Sequence, residues 1–298
     1  MNRRNFIKGV GAGIALSALG NTVAHAFGSV GAEDLVILHT NDFHSRMEPF
    51  PAGDPKYGGR GGVAARMKLI QEIRSKHKNV LLVDAGDIFQ GTPYFNLFGG
   101  EPEIRAMNEM GYDATAIGNH DFDAGLEGLE RAIDRAEFPY LSHYQFQGTL
   151  KGKVHPWKII QKGRVKVGLF GLGINPKGLI SPSMFGDTRF SDPIAHAKEM
   201  VEILRSQGVD LVVCLSHLGY QYTDGTVSDV VLAEKVEGID FVIGGHTHTF
   251  LEQPTLITHG NRSTWVCQAG WAGLAMGRID VKLQSKKVYF WQADYTQF

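Results

Sequence analysis

Potential metal ligands occur in five short clusters along this chain, and each cluster lies at or just after the end of an apolar, β-branched run. Histidine nitrogens and carboxylate oxygens both bind divalent metals in proteins. Seven potential ligands exceed what one tetrahedral metal needs, so the clusters indicate two metals that share a ligand. The clusters are Asp42-Phe43-His44, Asp84 to Asp87, Asn119-His120-Asp121, His217 and His246-Thr247-His248.

The apolar runs before these clusters are typical of buried strands in an α/β sheet. Such sheets place ligands beyond the carboxyl ends of their strands, so polar side chains from five segments can converge on one point. Helices are expected between the strands, which predicts α/β layers with the helices outside. The strand runs are residues 35–38, 80–83, 211–215 and 241–243, and the helices are residues 63–74, 101–110, 126–136 and 194–207.

Two of the clusters contain ligands that are two residues apart. In an extended backbone the side chains of such residues point to the same side, so Asp42 and His44 can bind one metal ion. The same argument applies to His246 and His248, where the preceding pair of glycines clears space. A loop turn is the ordinary structural explanation of Asp-x-His when it is taken alone. The predicted pairing therefore depends on an extended backbone at both places.

The other three clusters supply single ligands. Gly86 allows a sharp turn that presents Asp87, whose two carboxylate oxygens can bridge two cations. The amide oxygen of Asn119 suits a site that is already rich in negative charge. Taken alone, His217 has the ordinary explanation of a hydrogen-bonded core histidine. All five clusters lie at strand ends, and this common position indicates that they form one functional site.

Length and composition agree with one sizeable α/β domain. The chain has 298 residues, of which 43% are hydrophobic and 20% charged, so it can bury a large core. The formal charge is −1, and removal of residues 1–26 would leave −4. A nucleic-acid polymer is not expected as a partner, because its binding surface would be basic. Cys214 and Cys267 lie in apolar runs and are interpreted as two buried thiols, with a disulfide between adjacent strands as the alternative.

The first 26 residues have the pattern of a cleaved export signal. Arg3 and Arg4 are followed by an apolar stretch over residues 10–19 and then by Ala24-His25-Ala26, a small-x-small cleavage site. The paired arginines resemble the twin-arginine type, with the general secretion route and a retained anchor as alternatives. The apolar stretch is shorter than the roughly 20 residues of a membrane-spanning helix. We therefore expect a periplasmic or secreted protein without a membrane span.

The clusters extend into longer motifs that follow one another along the chain. They are His39-Thr40-Asn41-Asp42-x-His44, Gly86-Asp87-x-x-Gln90-Gly91, Gly118-Asn119-His120-Asp121-Phe122-Asp123, His217 and Gly245-His246-Thr247-His248. In their order and in their residues these motifs resemble those of the calcineurin-like metallophosphoesterases. Within that family they resemble the catalytic domain of the 5′-nucleotidase and UDP-sugar hydrolase branch. The resemblance covers about residues 33–298 and implies a four-layer α/β/β/α sandwich with a dinuclear site at one edge of two sheets.

The resemblance also implies two divalent metal ions and their ligands. One metal would bind Asp42, His44, Asp87 and His248, and the other would bind Asp87, Asn119, His217 and His246, with Asp87 as the bridge. Two cations about 3.5–4 Å apart hold a hydroxide at neutral pH, bind phosphoryl oxygens and offset the charge of an in-line displacement. These ligands suit Mn, Zn, Fe or Co alike, so the identity of the metal stays open.

By the same resemblance, His120 is a catalytic residue and does not bind metal. Asp123, three residues further on, would orient its imidazole. A protonated imidazole on the leaving-group side can stabilise the charge that develops on phosphorus or protonate the departing alkoxide. A role for His120 in supporting the ligands alone is the structural alternative.

The resemblance is incomplete in one respect. The full-length nucleotidases carry a second domain that binds the nucleobase. We expect no such domain within the residues up to Phe298. One hypothesis is that a separately encoded nucleotide-binding domain docks onto this chain. The other is a stand-alone enzyme with an open site and a relaxed choice of small phosphoesters.

Three classes of function compete. The leading one is an exported hydrolase of phosphomonoesters, nucleoside 5′-phosphates first, with 2′,3′-cyclic nucleotides and UDP-sugars as further substrates. The second is an enzyme like the sulfur-oxidation thiohydrolases, which share the metal domain. The third is a binding or scaffold protein that keeps the fold without turnover, which the intact set of ligands argues against.

Overall fold

The computed structural model describes residues 33–284 and 287–297, so the predicted export signal at residues 1–26 lies outside the described residues. The strands are β1 Glu33–Thr40, β2 Val80–Asp84, β3 Ala114–Ala116, β4 Tyr140–Leu141, β5 Trp157–Lys162, β6 Val165–Gly173, β7 Leu211–His217, β8 Phe241–Gly244, β9 Thr255–His259, β10 Arg262–Gln268, β11 Ala275–Gln284 and β12 Lys287–Gln297. The helices are α1 Val63–Lys76, α2 Pro93–Phe98, α3 Glu101–Met110, α4 Gly125–Arg135, α5 Pro182–Phe185, α6 Pro193–Ser206 and α7 Asp229–Lys235.

The strands form two six-stranded mixed sheets. The first has the order β12-β11-β1-β2-β3-β4, and the second has the order β5-β6-β7-β8-β10-β9. In the first sheet β1 to β4 are parallel, and in the second β6, β7, β8 and β10 are parallel. Antiparallel strands complete both sheets. The carboxyl ends of each parallel set therefore lie along one edge of its sheet.

Apolar side chains separate four layers. Leu81 and Ile37 of the first sheet pack with Val213 and Ile243 of the second in one buried cluster between the sheets. On its outer face the first sheet packs against α1, α3 and α4, and the second sheet packs against α6 and α7. Strands buried on both faces explain why their sequences are continuous apolar runs and do not alternate. The predicted α/β/β/α sandwich is confirmed.

The four helices expected from the sequence are present, and their ends agree within two residues. The helices α2, α5 and α7 were not expected, because they span only six, four and seven residues. In α7 the apolar, β-branched sequence is typical of a strand, but the Ser228 hydroxyl accepts a hydrogen bond from the Val231 nitrogen and caps the helix. Within the described residues, every helix is too short or too polar to cross a membrane.

Both cysteines are buried free thiols, which confirms their interpretation from the sequence. Cys214 lies in β7 and Cys267 in β10, and β8 runs between these strands. Cys214 packs toward the helices, whereas Cys267 packs between the sheets. A disulfide between adjacent strands is therefore ruled out by the topology.

We expect the free energy of unfolding to fall when the pH drops below about 6.5, because the unfolded chain then binds a proton at His143 that the folded chain does not bind. His143 is 3% exposed, and burial lowers its pKa to about 3. The contribution of His143 to the free energy of unfolding is complete when the pH is above the pKa of this residue in the unfolded chain. It is lost progressively as the pH falls toward the pKa in the folded chain, about 3. Between pH 7 and pH 5.5 the loss is about 1 kcal/mol, measured by urea unfolding.

The variant His143→Asn provides the control. Asparagine keeps an acceptor for the Gly173 nitrogen, which donates to Nδ1 of His143 at 3.2 Å, but it cannot ionise. The variant should lose this part of the pH dependence. An equal loss of stability in both proteins would contradict the assignment.

Candidate metal centre

Every predicted metal ligand lies at the carboxyl end of a parallel strand, as the sequence indicated. The structure brings all seven together where the parallel sets of the two sheets end. Asp42 and His44 follow β1, Asp87 follows β2, Asn119 follows β3, His217 ends β7, and His246 and His248 follow β8.

Asp42, His44 and His248 form the first cluster of donors, called here the Asp42 group. The Nε2 atoms of the two histidines are 3.0 Å apart, and Oδ1 of Asp42 lies 3.3 Å from Nε2 of His248 and 3.8 Å from Nε2 of His44. Nδ1 of His44 faces the carbonyl oxygens of Phe89 and Gln90. The ring of His44 is thereby turned with Nε2 toward the centre.

Asp87, His217 and His246 form the second cluster, the Asp87 group. Nε2 of His217 is 3.0 Å from Oδ2 of Asp87, and Nδ1 of His217 donates to the carbonyl oxygen of Ala85 at 2.7 Å. Nδ1 of His246 lies 2.8 Å from Oδ1 of Asn119, which places the amide beside this group. Oδ2 of Asp87 is also 4.0 Å from Nε2 of His44. Asp87 therefore lies between the two groups.

The backbone at the paired ligands differs from the expectation. Asp42, His44, His246 and His248 have φ values of 51°, 49°, 71° and 52°, so these residues are left-handed and not extended. His246 and His248 belong to different groups, so the prediction that they point the same way was wrong, whereas Asp42 and His44 lie in one group despite the same left-handed backbone. Non-glycine residues in this region are strained, and strain of this kind is common at functional sites.

Glycines allow the loops to approach one another closely. A Cβ on Gly118 would lie 2.1 Å from Oδ1 of Asp87, and one on Gly245 would lie 2.9 Å from Nδ1 of His217. Gly86 has φ 91°, and its Cβ would lie 2.6 Å from the Gly118 nitrogen. The Asp87 group can form only because these three positions carry no side chain.

The electrostatics of the centre favour positive charge. Burial alone would lower the pKa of His217, but Asp87 and Asp42 reverse this and raise it to about 10. Burial would raise the pKa of Asp87, yet His217 and His44 hold it below its usual range. Burial together with His217 lowers the pKa of His246 to about 4, so this imidazole is neutral and can offer a lone pair.

The donors fit two divalent cations. Nδ1 of His44 donates to backbone carbonyls, so its Nε2 carries the lone pair and directs it toward the centre, 3.0 Å from Nε2 of His248. Nε2 of His217 is buried and close to Asp87, but it lies outside hydrogen-bonding geometry and has no hydrogen-bond partner within residues 33–284 and 287–297. Cations bound by these nitrogens would also balance the carboxylates of Asp42 and Asp87, which are at most 1% exposed.

His120 and Asp123 lie beside the centre in a more open position. Nδ1 of His120 is 2.9 Å from Oδ2 of Asp123, and their side chains are 37% and 35% exposed. The hydrogen bond to Asp123 raises the pKa of His120 against the opposing effect of burial. The backbone nitrogen of His120 donates to Oδ1 of Asp87 at 2.7 Å, so the position of the imidazole is fixed relative to the metal ligands.

Two residues that support the ligands were not identified from the sequence. Nε2 of Gln268 donates to the Gly245 carbonyl at 2.7 Å, and its Oε1 accepts from Thr247 Oγ1 at 3.1 Å and from the Thr249 nitrogen. Asn41 donates to Oδ2 of Asp42 at 2.6 Å and accepts from the backbone at the end of β10. A buried glutamine that ends an apolar strand was the available signal for the first.

Asp121 connects the loops after β2 and β3. Its carboxylate accepts from the backbone nitrogens of Asp87, Ile88 and Gly118 at 3.2, 3.0 and 2.8 Å. No role was predicted for Asp121 from the sequence, although it lies in the cluster Asn119-His120-Asp121. In the structure it supports the position of Asp87 and belongs to neither group.

A family model described as calcineurin-like phosphoesterase matches residues 35–250. The chain therefore belongs to the calcineurin-like phosphoesterase family, whose members depend on a dinuclear metal site. Within it the chain is similar to 5′-nucleotidases. It is 39% identical over 233 residues to the snake venom 5′-nucleotidase of Crotalus adamanteus, and the match covers 75% of this chain and 38% of that protein.

Two further similar proteins are also named as 5′-nucleotidases. The 5′-nucleotidase of Homo sapiens is 37% identical over 75% of this chain and 39% of its own length. The crystal structure of a 5′-nucleotidase precursor from Thermus thermophilus superimposes with a TM-score of 0.79 and 30% identity, over 89% of this chain and 55% of that one. The chain thus spans about two fifths of the length of the two curated relatives.

We expect the substitution Gly118→Ala to displace Asp87, because the new Cβ would lie 2.1 Å from Oδ1 and 2.6 Å from the backbone nitrogen of that residue. The variant should lose at least one bound metal when the purified protein is loaded and its metal content is measured by elemental analysis. Gly53→Ala is the control, because nothing lies within 4 Å of its Cβ. Wild-type metal content in both variants would show that Asp87 is not a ligand.

Proposed function

We propose that residues 33–298 form a dinuclear metal-dependent phosphoester hydrolase whose first substrates are nucleoside 5′-phosphates. The observation that carries the proposal is the pair of donor clusters, the Asp42 group and the Asp87 group, placed side by side at the carboxyl ends of two sheets. Asn119 joins the Asp87 group through its amide oxygen. Asp87 is assigned to both metals because its carboxylate lies between the groups.

When bound, two cations would activate a nucleophile near neutral pH and offset the charge of a phosphoryl group. The chain supplies the rest of the arrangement. Asp42 and Asp87 are already buried in the folded chain, so they bind the cations at little cost in further desolvation. The ring orientations of His44 and His217 are set by backbone carbonyls, as is typical of metal-binding histidines.

The role proposed for His120 is to hold a proton for the leaving group. Its Nδ1 is engaged by Asp123, so Nε2 is the nitrogen left to face a substrate. The hydrogen bond to Asp123 raises the pKa of His120, which favours the protonated form that a general acid needs. The partial exposure of both side chains leaves room for an ester group to approach.

The choice of nucleotides as substrates is supported by the relatives, which are named as 5′-nucleotidases. Cyclic 2′,3′-nucleotides and UDP-sugars stay predictions for the same site, because two metals can bind a phosphodiester as well as a monoester. An activity like that of sulfur-oxidation thiohydrolases also stays a prediction, and no feature of the described residues favours it over phosphate ester hydrolysis.

The test is a comparison of three substrates with protein loaded separately with manganese, zinc and cobalt. We expect phosphate release from AMP and from an aryl phosphate, slower turnover of a bis-aryl phosphate, and loss of all activity with a chelator. Asp87→Asn should abolish activity because it weakens both metal sites. Asp187→Asn, an exposed aspartate outside the centre, is the matched control. Protein that binds two metals and hydrolyses none of the three substrates would refute the proposal.

The substitution His120→Ala should keep both metals and lower kcat by about 10²- to 10⁴-fold for AMP, the range that general acids contribute. The loss should be smaller for an aryl phosphate, because its leaving group needs no proton. Asp123→Asn should have a smaller effect than His120→Ala, because Asp123 acts through the imidazole.

The control for His120→Ala is His155→Ala, which removes a histidine outside the centre. Metal content and kcat are measured on the same preparations, so a loss of metal is distinguished from a loss of proton transfer. Unchanged turnover of AMP by His120→Ala would remove this residue from the mechanism.

Two further parts of the proposal are supported by the sequence alone. We propose that residues 1–26 direct export, which N-terminal sequencing of the mature protein would show as cleavage after Ala26. We also propose that a separately encoded nucleotide-binding domain docks onto this chain. Co-elution with the product of a neighbouring gene would support it, and full efficiency on AMP by this chain alone would count against it.

A further inference from the structure

His248 differs from the other histidines of the centre in how its ring is held. Its side chain is 38% exposed, compared with 8% for His44 and 0% for His217. His44 and His217 each direct Nδ1 at a backbone carbonyl. Among the described residues no hydrogen bond to Nδ1 of His248 is present. A metal-binding imidazole without such a partner can rotate about its Cβ–Cγ bond, which moves Nε2 away from the metal.

A flat aromatic ring lies against His248 instead. The rings of His248 and Trp271 are stacked with centroids 5.3 Å apart and planes only 3° from parallel. Rotation of the imidazole would break this stack. The side of the imidazole that faces Trp271 is also shielded from water. The stack thus supplies the restraint that the backbone carbonyls supply to His44 and His217.

The indole itself is held in place from two sides. Phe50 and Tyr57 meet Trp271 edge to face, with centroids 6.0 and 6.4 Å away. The backbone nitrogen of Ala272 donates to the carbonyl oxygen of Asp42 at 2.7 Å, so the segment that carries the indole is bonded to another member of the Asp42 group. Trp271 therefore has a fixed position relative to Asp42.

We propose that Trp271 is a positioning residue that fixes the ring of His248 and so sets the metal affinity of the Asp42 group. The inference rests on the proposed metal site and concerns one of its two groups. No described contact joins Trp271 to a side chain of the Asp87 group. Loss of the indole should therefore weaken one metal site and leave the other intact.

The test compares Trp271→Leu, which removes the flat ring, with Trp271→Phe, which keeps one. Each protein is stripped with a chelator and titrated with Co²⁺ or Mn²⁺, and bound metal is measured by elemental analysis without any substrate. We expect Trp271→Leu to bind one equivalent like the wild type and the second about 10- to 100-fold more weakly. Trp271→Phe should restore the second site to within a few-fold of the wild type.

The matched control is Trp157→Leu, which removes a tryptophan from β5, an edge strand of the second sheet that carries no residue of the centre. It should bind both equivalents like the wild type. Two equivalents bound with wild-type affinity by Trp271→Leu would overturn the inference. Failure of the wild-type protein to bind two metals would instead overturn the proposed function, so the two failures are distinguishable.

Fluorescence gives a second measurement that does not depend on the folding of Trp271→Leu. The chain has four tryptophans, and among the side chains that the structure describes only that of Trp271 is stacked on a predicted ligand. Binding of Co²⁺ should quench part of the emission of the wild type. The quenching should disappear in Trp271→Phe and persist in Trp265→Phe, which lies in β10 away from the centre. Equal quenching in both variants would contradict the stacked geometry.

Discussion

The structure depends on the hydrogen bonds and charges that offset the cost of burying several carboxylates at the carboxyl ends of its strands. Asp42, Asp84, Asp87 and Asp121 are each at most 1% exposed. Removing a carboxylate from water costs several kcal/mol unless hydrogen bonds or opposite charges replace the lost hydration. Close-packed loops, glycines at their crossings and left-handed ligand residues all bring donors to these oxygens. The fold can tolerate so many acids in one place only because the partners converge there as well.

The compensation differs between acids near the helices and acids at the centre. Asp84 accepts from the Thr40 hydroxyl at 2.6 Å and from the Gly86 nitrogen at 2.9 Å, and the buried guanidinium of Arg66 lies close enough to lower its pKa. Burial nevertheless raises that pKa to about 6. Asp42 and Asp87 face histidines and have no arginine or lysine against them among the described ion pairs. Groups of the protein itself therefore stabilise the carboxylate of Asp84. The carboxylates of Asp42 and Asp87 are left to be balanced by bound cations.

The sequence predicted α/β layers, the long helices and the grouping of ligands at strand ends, because these follow from hydrophobic periodicity and from the geometry of parallel sheets. The pairing of two sheets was implied by the family resemblance alone. The sequence did not predict the backbone of His246 and His248, because left-handed φ values in non-glycine residues are imposed by surrounding contacts. It also did not identify Gln268 or Trp271. Their roles arise from segments that lie far apart along the chain and meet only in the folded protein.

The loop that carries His246 and His248 makes the two donor groups parts of one covalent object. A single residue, Thr247, separates the histidines, and its hydroxyl is hydrogen bonded to Gln268. The Cα atoms of the two histidines are therefore at most two peptide units apart, while their side chains direct the donor atoms into different groups. Any movement of this loop therefore displaces one donor of each group at the same time.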